Sequence, residues 1–111
     1  MDLIIINVAE DFSRFPGARY PEEGDFSGEE FRKEILVPKL KEALEKGCHL
    51  RVVLDGSAGY STAFLEEAFG GLVREDNFTS AQLGIIEFVS EEDPTYIDDI
   101  KTYIEDAEQH S

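Results

Sequence analysis

Cysteine occurs once in the 111 residues, at Cys48, which excludes an internal disulfide and a cysteine-based zinc site. Histidine is nearly as scarce. His49 and His110 are far apart in the chain, and adjacent Cys48 and His49 cannot share one face of a strand, so no metal is expected. No apolar run is long enough to cross a bilayer, although hydrophobic residues make up 41% of the chain, so a soluble protein is expected. The start, "MDLIIINVAE", lacks the basic residues and the A-x-A site of a secretory signal, and a cytoplasmic location is the matching expectation. Neither a Walker lysine motif nor G-x-G-x-x-G is present, so the common phosphate-binding loops are excluded and no cofactor is expected.

Basic residues are the most telling shortage. Ten Lys plus Arg face 25 Asp plus Glu, a net charge of −15, so nucleic acid and anionic membranes would be repelled at long range. The acids thicken toward the C-terminus, where "EFVSEEDPTYIDDIKTYIEDAEQHS" holds nine of them and one lysine. They are interleaved with apolar periodicity, which marks a solvated folded surface and not an acidic disordered tail. Two sharper uses of the charge stay open: a face for a basic partner, or a mimic of nucleic acid.

What is present is an alternation of strand-like and helix-like segments in a chain sized for one domain, residues 1–111. "LIIINV", residues 3–8, predicts a buried central strand, apolar on both faces. Residues 9–26 carry turn formers at Pro16-Gly17, Pro21 and Gly24 and predict a loop or edge hairpin. Within it, Arg14 and Arg19 are placed either to meet an anionic group or to neutralise neighbouring acids. Ser27 with Glu30 is the capping box of a helix that Gly47 should stop. Phe31, Ile35, Leu36, Leu40, Ala43 and Leu44 give that helix its apolar stripe, and Pro38 predicts a kink. "HLRVVLD" and residues 85–89 predict the second and third strands, with Phe64, Leu65, Ala68, Phe69, Leu72 and Val73 forming a sheet-packed helix between them. Asp93-Pro94 opens a last helix that turns Ile97, Ile100, Ile104 and Ala107 inward. The alternation predicts an α/β fold with parallel core strands joined by helical crossovers.

The junction "LDGSAGYSTAFLEEAFGG" carries the candidate site. Ser57, Tyr60, Ser61 and Thr62 surround Gly56 and Gly59 at the helix entrance. Ser61 or Thr62 should cap the helix, and both are candidate phosphoacceptors, because a phosphate there would face free amides and the helix dipole. On a helical wheel of about 100° per residue, Ala63, Glu67, Gly70 and Arg74 fall opposite the apolar stripe, which predicts an exposed, small-residue flank for docking. Glycine within a helix costs about 1 kcal/mol relative to alanine, so Gly70-Gly71 calls for a loosened helix end, for close packing at Gly71, or for a surface on which a partner lies. "GYSTA" is only superficially like a nucleophile elbow, since it lies beyond the expected strand end at Asp55 and no histidine is placed as its base. No enzymatic activity is expected.

"PGARYPEEGDFSGEEFRKEILVPKL" and "LDGSAGYSTAFLEEAFGGLVRE" resemble the STAS-like domain family, small bacterial and phage proteins or modules related in fold to the STAS domains of anti-sigma factor antagonists. The resemblance runs from Asp11 to about Arg74. It implies a mixed sheet of about four strands with parallel core strands and three main helices, in which "DFSRF" supplies the extra strand. Antagonists of this fold bind a histidine-kinase-like ATPase through a loop and helix N-terminus where a serine is phosphorylated, and the matching region here is residues 57–64. Ala63 stands where the pattern has serine before phenylalanine, which leaves Ser61 or Thr62 as the acceptor, and the antagonist D-S-S-G run is absent. The resemblance implies a non-enzymatic regulatory or adaptor module with a protein partner. The competing expectation is an acidic inhibitor that fills a basic cleft through Asp98, Asp99, Glu105 and Asp106.

Overall fold

The computed structural model describes residues 3–110. Strands β1 (Leu3–Asn7), β2 (His49–Val53) and β3 (Ile86–Val89) form one parallel sheet in the order β1-β2-β3. Helix α1 (Val8–Asp11) is a single turn after β1. Helix α2 runs through Gly28–Phe31, a π-helical turn at Arg32–Leu36, and Val37–Lys46. Helix α3 repeats this plan through Thr62–Leu65, a π-helical turn at Glu66–Gly70, and Gly71–Arg74. A short turn, α4 (Ser80–Leu83), precedes β3, and α5 (Thr95–Gln109) closes the chain.

Local chemistry accounts for most of the boundaries. Ser27 Oγ accepts the Glu30 N–H at 3.1 Å and the Glu30 carboxylate accepts the Ser27 N–H at 3.4 Å, so α2 begins at its capping box. It stops at Gly47, whose φ of 67° suits a residue without Cβ. The disturbance expected at Pro38 lies one turn earlier. Pro38 has no N–H to offer Glu34, and the widened turn Arg32–Leu36 absorbs the missing bond without a break in the helix.

The register places Ile4, Leu50 and Ile86 in one row and Ile6, Val52 and Phe88 in the next, all toward the helices. Phe31, Leu40, Phe64, Phe69, Leu72 and Ile100 fill the space above them and are fully buried, with Phe69 edge-on to Phe88 at 5.4 Å. The opposite row, Ile5, Arg51 and Glu87, faces outward, and Ile5 is 51% exposed.

Three expectations are corrected here. β1 is an edge strand with one covered face, because β2 takes the centre; a short apolar run cannot by itself report which neighbour it has. "DFSRF" forms no strand: Ser13 N–H bonds back to the Val8 carbonyl at 2.9 Å and Phe12 turns inward to Phe31 at 5.3 Å, so this backbone closes on α1 and does not pair sideways. The sheet of the described residues is therefore three-stranded and wholly parallel, not four-stranded and mixed. No helix among the described residues is long and apolar enough to cross a membrane.

Candidate functional site

All three strands point their carboxyl ends the same way, and the loops that leave them meet there, the usual place for recognition in an open α/β sheet. The loop at residues 56–61 is knitted to both neighbours. On one side the Asp55 carboxylate accepts the N–H groups of Glu91 and Glu92 at 3.0 and 2.8 Å, and the Glu92 carboxylate accepts the Gly56 N–H at 2.8 Å. On the other, Ala58 N–H donates to the Arg14 carbonyl at 2.8 Å and Ser61 Oγ donates to the Gly17 carbonyl at 3.2 Å. Gly56 and Gly59 take φ values of 92° and 132°, which a side chain would resist.

Ser61 is the cap of α3: its Oγ accepts the Phe64 N–H at 3.0 Å. Thr62 is exposed and its hydroxyl makes no hydrogen bond among the described residues. Tyr60 lies inward, donating its hydroxyl to the Leu54 carbonyl at 2.8 Å and packing edge-on to Tyr96 at 5.2 Å. Burial is the main cause that pushes the Tyr60 phenol up to about 12. Tyr60 should therefore ionise late in an absorbance titration. Because the unfolded chain loses this proton first, stability should hold up to about pH 10 and fall between there and about pH 12. Tyr60→Phe should remove that part of the fall, and a decline of the same size in the variant would contradict the assignment.

The flank predicted for docking is corrected. Ala63 is half-buried and Arg74 exposed, but Glu67 is only 2% exposed and Gly70 is buried. The wheel assumed a regular helix with one free side, whereas α3 is packed on both: a Cβ on Gly70 would lie 2.7 Å from Glu66 Oε2 and 3.4 Å from the Tyr103 carbonyl of α5. A side chain introduced at residue 70 would therefore enter the core and not the surface.

Between α2 and α3 lies an ionic cluster that sequence reasoning missed. Arg32, 2% exposed, pairs with Glu67, donates from Nη1 to the Glu67 carbonyl at 2.8 Å, and places Nε 2.9 Å from Asp76 Oδ2. Arg19 pairs with Glu66, and Arg74 reaches Glu66 at 2.6 Å and Glu67 at 3.3 Å. Burial pushes the Glu66 carboxyl up, but hydrogen bonds from Arg74 and Arg19 outweigh it and hold the group below the usual carboxylate range. Arg19 thus neutralises an acid, while Arg14 is exposed and joins no ion pair among the described residues. The available signal was glycine within helix patterns: Gly71 lies under the guanidinium, where a Cβ would stand 3.0 Å from Arg32 Cζ.

The histidines stay away from the loop. His49 opens β2, so about 13 Å of strand separates it from the loop, and His110 follows the far end of α5. Among the described residues no group of three His, Cys, Asp or Glu is arranged to hold a metal ion. A surface concavity of about 510 Å³, lined by Val73, Phe78, Thr79 and Ser80 among others, contains none of the sequence-predicted site residues.

A family model described as a STAS-like domain of unknown function (DUF4325) matches residues 27–95, more than half of the chain. Residues 11–26, the first part of the sequence resemblance, lie outside that match. No curated protein and no solved structure matches the chain.

Proposed function

We propose, because the chain belongs to the family of STAS-like domains of unknown function, that it is a regulatory or adaptor module that binds a protein partner without catalysing a reaction. Its docking surface is the loop Gly56, Ser57, Gly59, Ser61 and Thr62 with Ala63, supported from within by the inward-turned Tyr60. Glu67 and Gly70 drop out because they are buried, and Arg74 remains only as an exposed neighbour. The observation that carries this reading is the hydrogen bond from Ser61 Oγ to the Gly17 carbonyl. It makes one hydroxyl both the cap of α3 and the clasp between two loops. A phosphate on Ser61 would remove that donated hydrogen bond and add nearly two negative charges beside the clasp. Thr62 holds no such clasp, so Ser61 is the acceptor whose modification alters the surface.

The partner proposed is a histidine-kinase-like ATPase. Calorimetry with that ATPase should show Ser61→Asp weakening binding more than about tenfold, a difference of about 1.4 kcal/mol, while Lys41→Glu on the outer side of α2 leaves it unchanged. A second reading rests on the exposure of Asp98, Asp99, Glu105 and Asp106 on α5, none of which joins an ion pair among the described residues. Binding that ignores Ser61→Asp but is lost when those four charges are reversed would replace the adaptor by an acidic inhibitor of a basic cleft.

A further inference from the structure

We infer that the docking surface extends onto an aromatic patch at residues 15–26 whose occupant is an arginine-bearing segment of the partner protein, a conclusion that rests on the adaptor reading above. Phe15, Tyr20 and Phe26 are 72%, 41% and 43% exposed. Among the described residues the other exposed large hydrophobics, Leu3 and Ile5, belong to β1, so the aromatic ones all fall on this stretch. Exposed aromatic rings gathered on one segment are characteristic of protein interfaces, where they supply area at low entropic cost.

The patch is held in shape. Gly17 N–H donates to the Phe26 carbonyl at 2.8 Å, Gly28 N–H to Ala18 at 2.9 Å and Glu29 N–H to Arg19 at 3.1 Å, so two runs of this segment lie side by side. The Phe26 ring meets Phe12 edge-on at 5.6 Å, which anchors its inner side to the core. Through Gly17 the patch touches Ser61, so it is continuous with the loop at 56–62.

Charge selects the occupant. Glu22, Glu23 and Asp25 are exposed within the patch and join no ion pair among the described residues, on a chain of net charge −15. A hydrophobic partner surface would leave these carboxylates to be desolvated without compensation, whereas a cation satisfies both them and the negative faces of the rings. Arginine fits better than lysine, because its planar guanidinium stacks on a ring while its N–H groups still reach a carboxylate.

The test uses hexa-arginine and hexa-lysine, peptides of equal charge, titrated into the isotope-labelled full chain with backbone amides as the readout. The arginine peptide should shift amides at Phe15, Tyr20, Phe26 and Ser61 and bind there several-fold more tightly than the lysine peptide. Phe15→Ala should weaken it about threefold, and Phe15→Ala with Tyr20→Ala about tenfold, with unchanged dispersion elsewhere. Equal affinity of the two peptides, or shifts confined to α5, overturns the inference. If that happens while Ser61→Asp still disrupts ATPase binding, the patch fails alone and the adaptor reading stands.

Discussion

Glu67→Ala should destabilise the chain by about 3–5 kcal/mol, measured by urea denaturation. The loss comes less from the pair's own attraction than from what is left behind. Arg32 is 2% exposed, lies over Gly71, and cannot swing into water when its carboxylate partner disappears. Asp76 Oδ2 remains 2.9 Å from Nε but makes no hydrogen bond with it, so it replaces only part of what Glu67 supplies. Removing both charges should behave differently. Arg32→Met with Glu67→Leu fills similar volume and leaves no buried guanidinium, only the part-exposed Asp76 without its cation, so the double variant should be more stable than Glu67→Ala alone. A Glu67→Ala variant within about 0.5 kcal/mol of the parent would mean that Arg32 is not buried as described.

Gly28→Ala should also destabilise, by about 1–3 kcal/mol, although helix propensity alone favours alanine by up to about 1 kcal/mol. The sign is decided by the neighbour. A Cβ at residue 28 would stand 2.6 Å from the Phe64 carbonyl oxygen and 3.2 Å from Glu67 Cβ, and the first of these is backbone. It cannot rotate away, so α2 and α3 would have to separate at the place where their π-helical turns and the Arg32–Glu67 pair meet. Denaturation of Gly28→Ala, with near-ultraviolet dichroism to report the phenylalanine cluster, checks this. A gain in stability would show that the two helices are not in contact at that point.

Both variants probe what the sequence concealed. The caps at Ser27 and Gly47 and the buried face of α3 were legible, because each depends on residues within a turn or two of one another. The turn α4 was equally legible and was missed: Thr79 and Gln82 repeat the capping box of Ser27 and Glu30, but one turn is too short for an apolar period. The Arg32–Glu67 pair was not legible. Its members lie 35 residues apart, and each falls on the polar side of its own helix, where a solvated role is the ordinary expectation. The same blindness produced the docking flank at Glu67 and Gly70, since a wheel drawn for one helix cannot show that a second and a third helix cover it. Within the loop at 56–62, the choice between Ser61 and Thr62 as cap also awaited geometry, which gives it to Ser61.

Hydrogen exchange of the chain, free and mixed with the histidine-kinase-like ATPase proposed as its partner, tests the central claim most directly. Binding should slow exchange at residues 56–62 and at 13–18, the two loops joined through Ser61 and Gly17. Slowing confined to α5, with residues 56–62 exchanging at the same rate free and bound, would contradict it.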